Sequence, residues 1–205
     1  MNDYVTIEMK NLDKKASHSL LLSAVAPRPV ALVTTLGGNG VMNGAPYSYF
    51  NLVSTRPPMV SVAISRREGA YKDTIQHIRE SKVFTVNTVD EDNVEAVHRT
   101  AKALPADESE LEKFGLTPNT SAYIKAPGID EAKVRLECRM KHIIPLEHKG
   151  IVTGDIVLGE IVAVHVAKSL YKDGAVDTVA LKPVGRLGGD DYTKLGEVFT
   201  IERDE

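Results

Sequence analysis

Two neighbouring stretches of the sequence carry residue types that could bind a ligand. The first, N-G-A-P-Y-S-Y-F-N at 43–51, combines small residues with two tyrosines and two asparagines and has no charge. In an extended strand, alternation would place Tyr47, Tyr49 and Asn51 on one face. Small residues let the backbone approach a ligand closely, and hydroxyl and amide groups can meet its polar edge. The pattern therefore indicates a surface for a flat aromatic ligand with polar edges.

The second stretch, R-R-E-G-A-Y-K-D-T at 66–74, brings three cations together just before a predicted helix. Its basic residues are Arg66, Arg67 and Lys72. Helix N-termini bind anions through free backbone N–H groups and the positive end of the helix dipole. The Thr74 hydroxyl can donate a further hydrogen bond. This arrangement indicates a site for an anion, such as the phosphate of a ligand.

The helix itself is predicted over 73–82, where apolar residues recur at helical spacing. Asp73 is a natural N-cap, and Gln76 follows at the spacing of a capping box. A simpler interpretation therefore stays open at this point. Asp73 could only cap the helix, and the basic residues could form an ordinary solvated loop.

Other candidate groups indicate structure rather than catalysis. Cys138 lies on the apolar side of an alternating strand, which is typical of a buried core thiol. The six histidines lack the spacing of metal ligands, so we expect no metal site. His165 lies inside an apolar strand, whereas His148 lies in a loop between two strands and could stand near a site. Asp190 and Asp191 fall in a glycine-rich turn.

Strand patterns dominate the elements that must position these residues. The glycine-rich run at 36–40 is a turn, and the prolines at 57–58 end a strand. Long spacings of the kind needed for repeated parallel crossovers are few. We therefore predict a single domain over 1–205, mainly β, with an antiparallel barrel and peripheral helices. The predicted strands are 30–35, 43–58, 60–65, 83–89, 133–144, 153–166 and 176–181; the predicted helices are 73–82 and 91–104, and the predicted loops are 105–128 and 183–192.

Composition excludes several classes of protein. The 205 residues are 42 % hydrophobic and 26 % charged, which is a globular composition. The net charge of -3 gives no basic footprint for nucleic acid. No apolar run is long enough to span a membrane, and the first residues lack the pattern of a secretory signal. A single cysteine fits a reducing compartment, so we expect a cytoplasmic protein.

Several motifs, taken together, resemble the flavin reductase-like family. They are P-R-P-V-A-L-V-T-T at 27–35, N-G-A-P-Y-S-Y-F-N at 43–51, P-P at 57–58 and K-D-T at 72–74. They occur in order and at short spacing, and the similarity continues through L-E-C-R at 136–139 and T-G-D-I-V-L-G-E-I-V at 153–162. The resemblance covers most of the chain and implies an FMN-binding split β-barrel.

The resemblance also implies which residues bind FMN. The strand at 45–51 would lie against the flavin, and Thr34 and Thr35 on the neighbouring strand would reach the same ligand. Arg66, Lys72 and Thr74 would hold the phosphate. The full set of implied cofactor contacts is Thr34, Thr35, Ala45, Pro46, Tyr47, Ser48, Tyr49, Asn51, Ser65, Arg66, Lys72, Asp73 and Thr74.

The implied activity is transfer of a hydride from NADH or NADPH to FMN by a homodimer. The cofactor carries this chemistry, so we expect no side chain to be an indispensable acid or base. Many relatives read Gly-Asp-His where this chain has Gly154, Asp155 and Ile156. That histidine is linked with the nicotinamide side of the flavin, where His148, Arg186 and Tyr192 are the candidates here.

Two functional classes follow from this resemblance. In the first, the chain is an NAD(P)H:flavin oxidoreductase that passes electrons on, possible acceptors being a monooxygenase or another protein. In the second, the chain is a non-enzymatic electron carrier of the flavoredoxin type, with FMN permanently bound and a protein as reductant. Reduction of the flavin by NAD(P)H alone would distinguish these two. A third interpretation is a flavin-binding protein that has lost turnover.

Overall fold

The structure, a computed structural model, describes residues 3–202 of the chain. The ends of the predicted 1–205 domain therefore lie outside the described residues. Antiparallel strands form its centre and short helices lie at the periphery. The helices are α1 (Lys14–Ala24), α2 (Asp73–Ser81), α3 (Val94–Arg99), α4 (Glu110–Lys113) and α5 (Thr178–Leu181), and a 3-10 turn spans Met9–Asn11. This confirms the mainly antiparallel β class that the sequence predicts.

The strands differ greatly in length. Two of them, near the middle of the chain, are about twice as long as any other and form one hairpin. The strands are β1 (Arg28–Pro29), β2 (Ala31–Leu36), β3 (Met42–Tyr47), β4 (Phe50–Thr55), β5 (Pro58–Ser65), β6 (Val83–Thr88), β7 (Pro118–Asn119), β8 (Gly128–Ile129), β9 (Val134–His148), β10 (Ile151–Val166), β11 (Tyr171–Lys172), β12 (Ala175–Val176), β13 (Gly185–Arg186) and β14 (Tyr192–Thr193).

Seven strands form the main sheet, in the order β3-β2-β6-β9-β10-β5-β4. Its two edge strands, β3 and β4, follow each other directly in the chain. The junction between them, at Ser48 and Tyr49, therefore joins the two edges of the sheet. The Tyr49 carbonyl accepts a hydrogen bond from Ala63 N–H at 2.8 Å, which ties this junction to β5. A separate small sheet has the order β1-β13-β14, and its first strand directly precedes β2 in the chain.

The main hydrophobic core is built from side chains of several strands of this sheet. Val33, Ile64, Phe84 and Val157 are fully buried members of one apolar cluster. A Cβ on Gly159 would lie 2.4 Å from Cζ of Phe84, so only glycine lets this ring pack against β10. Tight packing of this kind makes the interior intolerant of added atoms.

Cys138 belongs to the same core, as the sequence predicts. Burial raises the pKa of the Cys138 thiol, which keeps it protonated and unreactive at neutral pH.

The predicted strand through 43–58 is wrong as a single element. β3 ends at Tyr47 and β4 begins at Phe50, with a bend between them, because the chain here passes from one edge of the sheet to the other. Tyr47 turns into the core, whereas Tyr49 and Asn51 are exposed. These three side chains therefore do not share one face.

The predicted strand at 176–181 is also wrong beyond its first residue. β12 ends at Val176, and α5 follows. The Asp177 carboxylate accepts a hydrogen bond from Ala180 N–H at 3.0 Å, and this N-cap starts the helix despite the β-branched residues that follow.

Three other boundaries differ from prediction. The N-cap of α2 is Lys72, so Asp73 is the first helical residue and makes no capping box. The predicted helix at 91–104 is only Val94–Arg99, because a turn at Asp90 precedes it: Asp90 N–H donates to the Asn93 side chain. The predicted loop at 183–192 contains β13 and the first residue of β14. The turn at 36–40 and the end of β4 before the two prolines are confirmed.

Candidate functional site

Two adjoining cavities form one cleft beside the junction of β3 and β4. Their volumes are about 520 Å³ and about 730 Å³. Pro46, Tyr47, Lys72 and Ala101 line both, so the cavities meet at these residues. Sites for small ligands and cofactors typically occupy roughly 300–1,000 Å³. We call the smaller one the α2 cavity and the larger one the β13 cavity, after the elements beside them.

The α2 cavity has a cationic wall. Arg67 and Lys72 line it just before α2 begins. Desolvation, followed by repulsion from the Arg67 charge, lowers the pKa of Lys72 even though the residue is exposed as a whole. An anion placed between the two cations would favour the charged form of Lys72 and so offset both effects. The carboxylate of Asp73 in the first turn of α2 acts in the opposite direction.

Backbone geometry adds to this anion site. Lys72 caps α2 without a side-chain hydrogen bond to the first-turn N–H groups. Those N–H groups at a helix start are the donors that phosphate groups use. The donor set therefore fits a phosphate ester, which agrees with the predicted anion site.

A chain of buried hydrogen bonds forms the floor of the α2 cavity. The Tyr47 hydroxyl donates to Thr74 Oγ1 at 2.9 Å, and the Thr74 hydroxyl donates to Asn43 Oδ1 at 2.9 Å. Asn43 Nδ2 in turn donates to Glu110 Oε2 at 2.9 Å. The chain fixes both Tyr47 and Thr74, which the sequence marks as ligand-binding residues, in one orientation.

Burial shifts the pKa of the groups at both ends of this hydrogen-bond chain, Tyr47 and Glu110. Desolvation raises the pKa of Tyr47 to about 12, so its hydroxyl stays a hydrogen-bond donor at neutral pH. Desolvation also raises the pKa of Glu110, against the opposing hydrogen bonds from its own N–H, Gly44 and Asn43. Glu110 is only 5 % exposed and lines the cavity.

The β13 cavity lies between two walls of different origin. One wall comes from the β3–β4 junction and β5, with Ser48, Tyr49 and Ser65. The other comes from α1 and the small sheet, with Arg186 and Tyr192. The space between them is open to a flat ligand with polar edges, because tyrosines stand on both walls and hydroxyl groups lie between.

Arg28 holds the second wall in place. It is buried, and its guanidinium donates to the carbonyls of Leu22 and Val25 at the end of α1 and to the carbonyl of Leu187 after β13. A weaker bond reaches Ser48 Oγ at 3.5 Å. One side chain therefore joins α1, the small sheet and the β3–β4 junction.

The structure brings most of the predicted site residues together. Eleven of them line the cleft: Ala45, Pro46, Tyr47, Ser48, Tyr49, Ser65, Lys72, Asp73, Thr74, Arg186 and Tyr192. They come from β3, the β3–β4 junction, β5, α2 and the small sheet.

Five predicted site residues line neither cavity of this chain. Thr34 and Thr35 are fully buried in β2; the Thr34 hydroxyl donates to the Pro127 carbonyl, and the Thr35 hydroxyl lies 3.1 Å from His77 Nδ1. Asn51 lies on the exposed edge strand β4, and His148 ends β9.

Arg66 is the fifth of these residues. Its guanidinium forms a two-pronged pair with the buried Asp155, at 2.8 and 2.9 Å, and stacks on the Tyr71 ring. These contacts leave Lys72 and Arg67, rather than Arg66, as the cations of the α2 cavity.

Three site residues escaped the sequence analysis. Glu110 comes from the stretch that reads as a loop excursion, and no spacing in the sequence joins it to Asn43. Arg28 lies in the P-R-P motif, which supported the family resemblance but did not indicate that Arg28 contributes to the cleft. His98 contacts Tyr192 and Arg186, with its Nδ1 3.2 Å from the Tyr192 hydroxyl oxygen.

Fold and site together define a class of protein: an antiparallel β-barrel with a cleft whose hydroxyl, aromatic and cationic lining fits a flat, phosphate-bearing ligand. A family model described as "Flavin reductase like domain" matches residues 23–180. The chain therefore belongs to the flavin reductase-like family, as its motifs predict. Membership implies that the chain binds a flavin, and the donor set of the cleft fits one.

Known structures and relatives agree with this assignment. A crystal structure of nitrilotriacetate monooxygenase component B from Bacillus cereus is 42 % identical, with a TM-score of 0.95 over 98 % of this chain and 100 % of that one. The 2-nitrobenzoate 2-nitroreductase NbaA of Pseudomonas fluorescens is 32 % identical, with a TM-score of 0.89 over 98 % and 96 % of the two chains. An uncharacterised protein of Halalkalibacterium halodurans, BH2278, is 42 % identical over 94 % of this chain and 93 % of its own.

Among residues 3–202, no helix is long and apolar enough to cross a membrane.

Proposed function

We propose that this chain is a single-domain NAD(P)H:flavin oxidoreductase that binds FMN. The observation that carries the proposal is the meeting of the two cavities at Lys72, beside the start of α2. An isoalloxazine ring suits the β13 cavity, with its hydroxyl and aromatic walls, and a phosphate suits the cationic wall around Lys72. FMN has these two parts in this order.

When bound, the flavin would take a hydride from NADH or NADPH and pass the electrons on. The chain's own residues bind and orient. Ser48 and Ser65 offer hydroxyl groups to the ring and its side chain. Lys72, Arg67 and the first-turn N–H groups of α2 would neutralise the phosphate.

Tyr47 has a positioning role in this proposal. Its hydroxyl is committed to Thr74, and its raised pKa of about 12 keeps it from acting as a base near pH 7. The ring therefore serves as a fixed part of the cleft floor where the two cavities meet. No step proposed here depends on a protein acid or base.

The electron donor would approach from the wall formed by Arg186 and Tyr192, which faces the β3–β4 junction across the β13 cavity. We assign the acceptor to a partner protein of the monooxygenase type. The similarity to nitrilotriacetate monooxygenase component B at 42 % identity supports this assignment. We place the activity in the cytoplasm, in keeping with the free, buried thiol of Cys138.

The alternative, a flavoredoxin-like carrier that a protein partner reduces, is separated by one experiment. The flavin-loaded protein is mixed anaerobically with NADH or NADPH, and flavin absorbance near its visible maximum is followed. We expect rapid bleaching with at least one donor. Absorbance that stays constant with both donors would contradict the reductase and favour the carrier.

The cofactor assignment has its own test. FMN and riboflavin are titrated into flavin-free protein, with quenching of flavin fluorescence as the signal. FMN should bind at least ten-fold more tightly, because a hydrogen bond to a charged group is typically worth about 1.5–3 kcal/mol and riboflavin has no phosphate. Equal affinities for FMN and riboflavin would contradict the proposed phosphate site. Absence of binding of either flavin would contradict the flavin proposal itself.

A further inference from the structure

Arg186 on β13 has a guanidinium held rigidly at the wall of the β13 cavity. Its side chain is 19 % exposed. Nη1 donates to the Tyr192 hydroxyl and lies 3.3 Å from His98 Nδ1, while Nη2 donates to the Gly189 carbonyl. The guanidinium also stacks on the Tyr192 ring, 4.4 Å from its centre. These contacts fix the plane of the guanidinium group before any ligand arrives.

The remaining partner of Arg186 is of a different kind. Asp190 Oδ1 accepts from Nη2 at 2.9 Å, but the Asp190 side chain is 87 % exposed. It stands in the turn between β13 and β14, closed by Leu187 N–H to the Asp191 carbonyl. Exposed ion pairs contribute little, since solvent screens them and the carboxylate must be immobilised. Another carboxylate could therefore replace that of Asp190 at low cost.

A second cationic side chain faces the same cavity. Lys15 on α1 lines it together with Arg186, and the His18 ring lines it as well. Arg28 lines it too, but its donors are taken by backbone carbonyls. Planar guanidinium groups match carboxylates in geometry as well as in charge. The Tyr192 and Tyr49 rings offer aromatic surface beside this anion position.

We propose that Arg186 recognises the carboxylate of a small aromatic acid, and that Asp190 occupies this position until such a ligand displaces it. The inference rests on the proposed flavin function, because the acid would bind across the β13 cavity from the flavin. Arg186 is then a specificity-determining residue for this ligand, and Asp190 is an internal competitor for the same position.

The test uses benzoate as the probe and benzamide as its neutral counterpart. Each is titrated into the flavin-loaded protein by calorimetry and by flavin difference absorbance. We expect benzoate to bind and benzamide to bind at least ten-fold more weakly. Arg186→Gln should lose this preference, whereas Arg186→Lys should keep part of it. Thermal unfolding and FMN affinity of each variant show whether it folds.

Asp190→Asn gives the sharper result, because it should increase affinity. Removal of the competing carboxylate should tighten benzoate binding about two- to five-fold, in line with the small strength of an exposed ion pair. Asp191→Asn is the matched control: it removes the same charge one residue along, where no bond to Arg186 is involved. It should leave benzoate affinity unchanged.

Three outcomes would overturn the inference. Equal effects of Asp190→Asn and Asp191→Asn on benzoate affinity would show that Asp190 acts only through its long-range negative charge and does not compete directly for Arg186. Equal binding of benzoate and benzamide would remove carboxylate recognition. Displacement of benzoate by millimolar inorganic phosphate would indicate a general anion site instead. FMN binding is measured separately in all samples, so failure of the flavin proposal is recognised independently.

Discussion

Lys72 is the residue at which the two cavities, the start of α2 and the proposed phosphate all meet. Its lowered pKa reflects desolvation and the nearby Arg67 charge, so it is held in a position that costs free energy without an anion. Glu110 resembles it in this respect, since burial raises its pKa. Side chains kept in unfavourable electrostatic environments often mark functional sites.

Lys72→Ala should weaken FMN binding about ten- to hundred-fold and leave riboflavin binding nearly unchanged. The loss corresponds to one hydrogen bond to a charged group, about 1.5–3 kcal/mol. Fluorescence titration with both flavins measures it. Lys168→Ala, an exposed lysine that lines neither cavity, is the control and should change neither affinity. Equal weakening of both flavins would make Lys72 a structural residue.

Glu110→Gln should increase the free energy of unfolding, relative to the wild-type protein, by more at pH 7 than at pH 4. The folded-state pKa of Glu110 lies above its unfolded value, so the native protein binds the extra proton, and its stability falls as pH rises through that window. Glutamine keeps an acceptor oxygen for Asn43 and Gly44 and does not titrate. Urea unfolding at both pH values gives the comparison.

The control for this prediction is Glu112→Gln, an exposed residue of the same helix. Its effect should not depend on pH in the same way. A stability gain for Glu110→Gln that is equal at pH 4 and pH 7 would contradict the role of Glu110 ionisation.

At the scale of elements, the second wall of the cleft depends on Arg28. α1 has no buried residue of its own, so its apolar packing on the rest of the chain is slight. β13 and β14 are each two residues long. Short strands and a loosely packed helix gain their position from the hydrogen bonds that Arg28 donates to both.

Arg28→Ala should destabilise the protein by about 3 kcal/mol and also weaken flavin binding. The variant removes the hydrogen bonds from a buried guanidinium to three part-buried carbonyls and releases α1 from the small sheet. Thermal unfolding and FMN titration measure the two effects. Arg28→Lys should lie between, because an ammonium group cannot reach all three carbonyls as a planar guanidinium does. A variant with full stability and normal FMN affinity would show that other contacts hold this wall.

Much of the fold follows from local pattern, and the errors have physical causes. Alternation at 133–144 predicted β9, the apolar run at 153–166 predicted β10, and glycine predicted the turn at 36–40, because these signals are local. The break at Ser48 and Tyr49 could not be predicted, since it arises from the closing of the sheet edges. Pairing of Arg66 with Asp155 likewise depends on the register of β5 and β10, which brings Ser65 opposite Gly154.

The candidate site shows the same division. Residues 45–49 and 72–74 were predicted because they lie in continuous motifs. Glu110, Arg28 and His98 were not, because each contacts the site only through tertiary folding. The burial of Thr34 and Thr35 also depends on a distant segment, whose Pro127 carbonyl accepts from Thr34.

At the scale of the whole molecule, exposed apolar surface lies along the free edge of the sheet. Leu52 and Val53 of edge strand β4 are 53 % and 52 % exposed. Ile144, Leu146 and Ile151 near the tip of the β9–β10 hairpin are exposed as well. An unpaired, apolar edge strand is a ready template for association. We propose that a second copy of the chain covers this surface, giving the homodimer that the family resemblance implies.

Light scattering of the flavin-loaded protein at micromolar concentration should give the mass of a dimer. The double substitution Leu52→Lys and Val53→Lys should shift it to monomer, because like charges would face each other across the interface. Val179→Lys introduces a charge at an equally exposed apolar position on α5 and should leave the dimer intact. A monomeric wild-type protein with flavin bound would refute the proposal.

The β9–β10 hairpin supplies none of the residues that line either cavity, yet it joins the two flanks of the barrel that do. β9 pairs with β6 on one flank, and β10 pairs with β5 on the other, although β5 lies far earlier in the chain. Contacts between residues distant in sequence form slowly, because closing the intervening loop costs entropy before the pairing stabilises it. The early hairpins β2–β3 and β4–β5 can form soon after collapse, but the cleft between them exists only once the late hairpin has docked on both. Flavin binding during refolding would therefore report the last step of folding. Mutations in the β9–β10 hairpin would change the rate of this binding, although the hairpin does not contact the ligand.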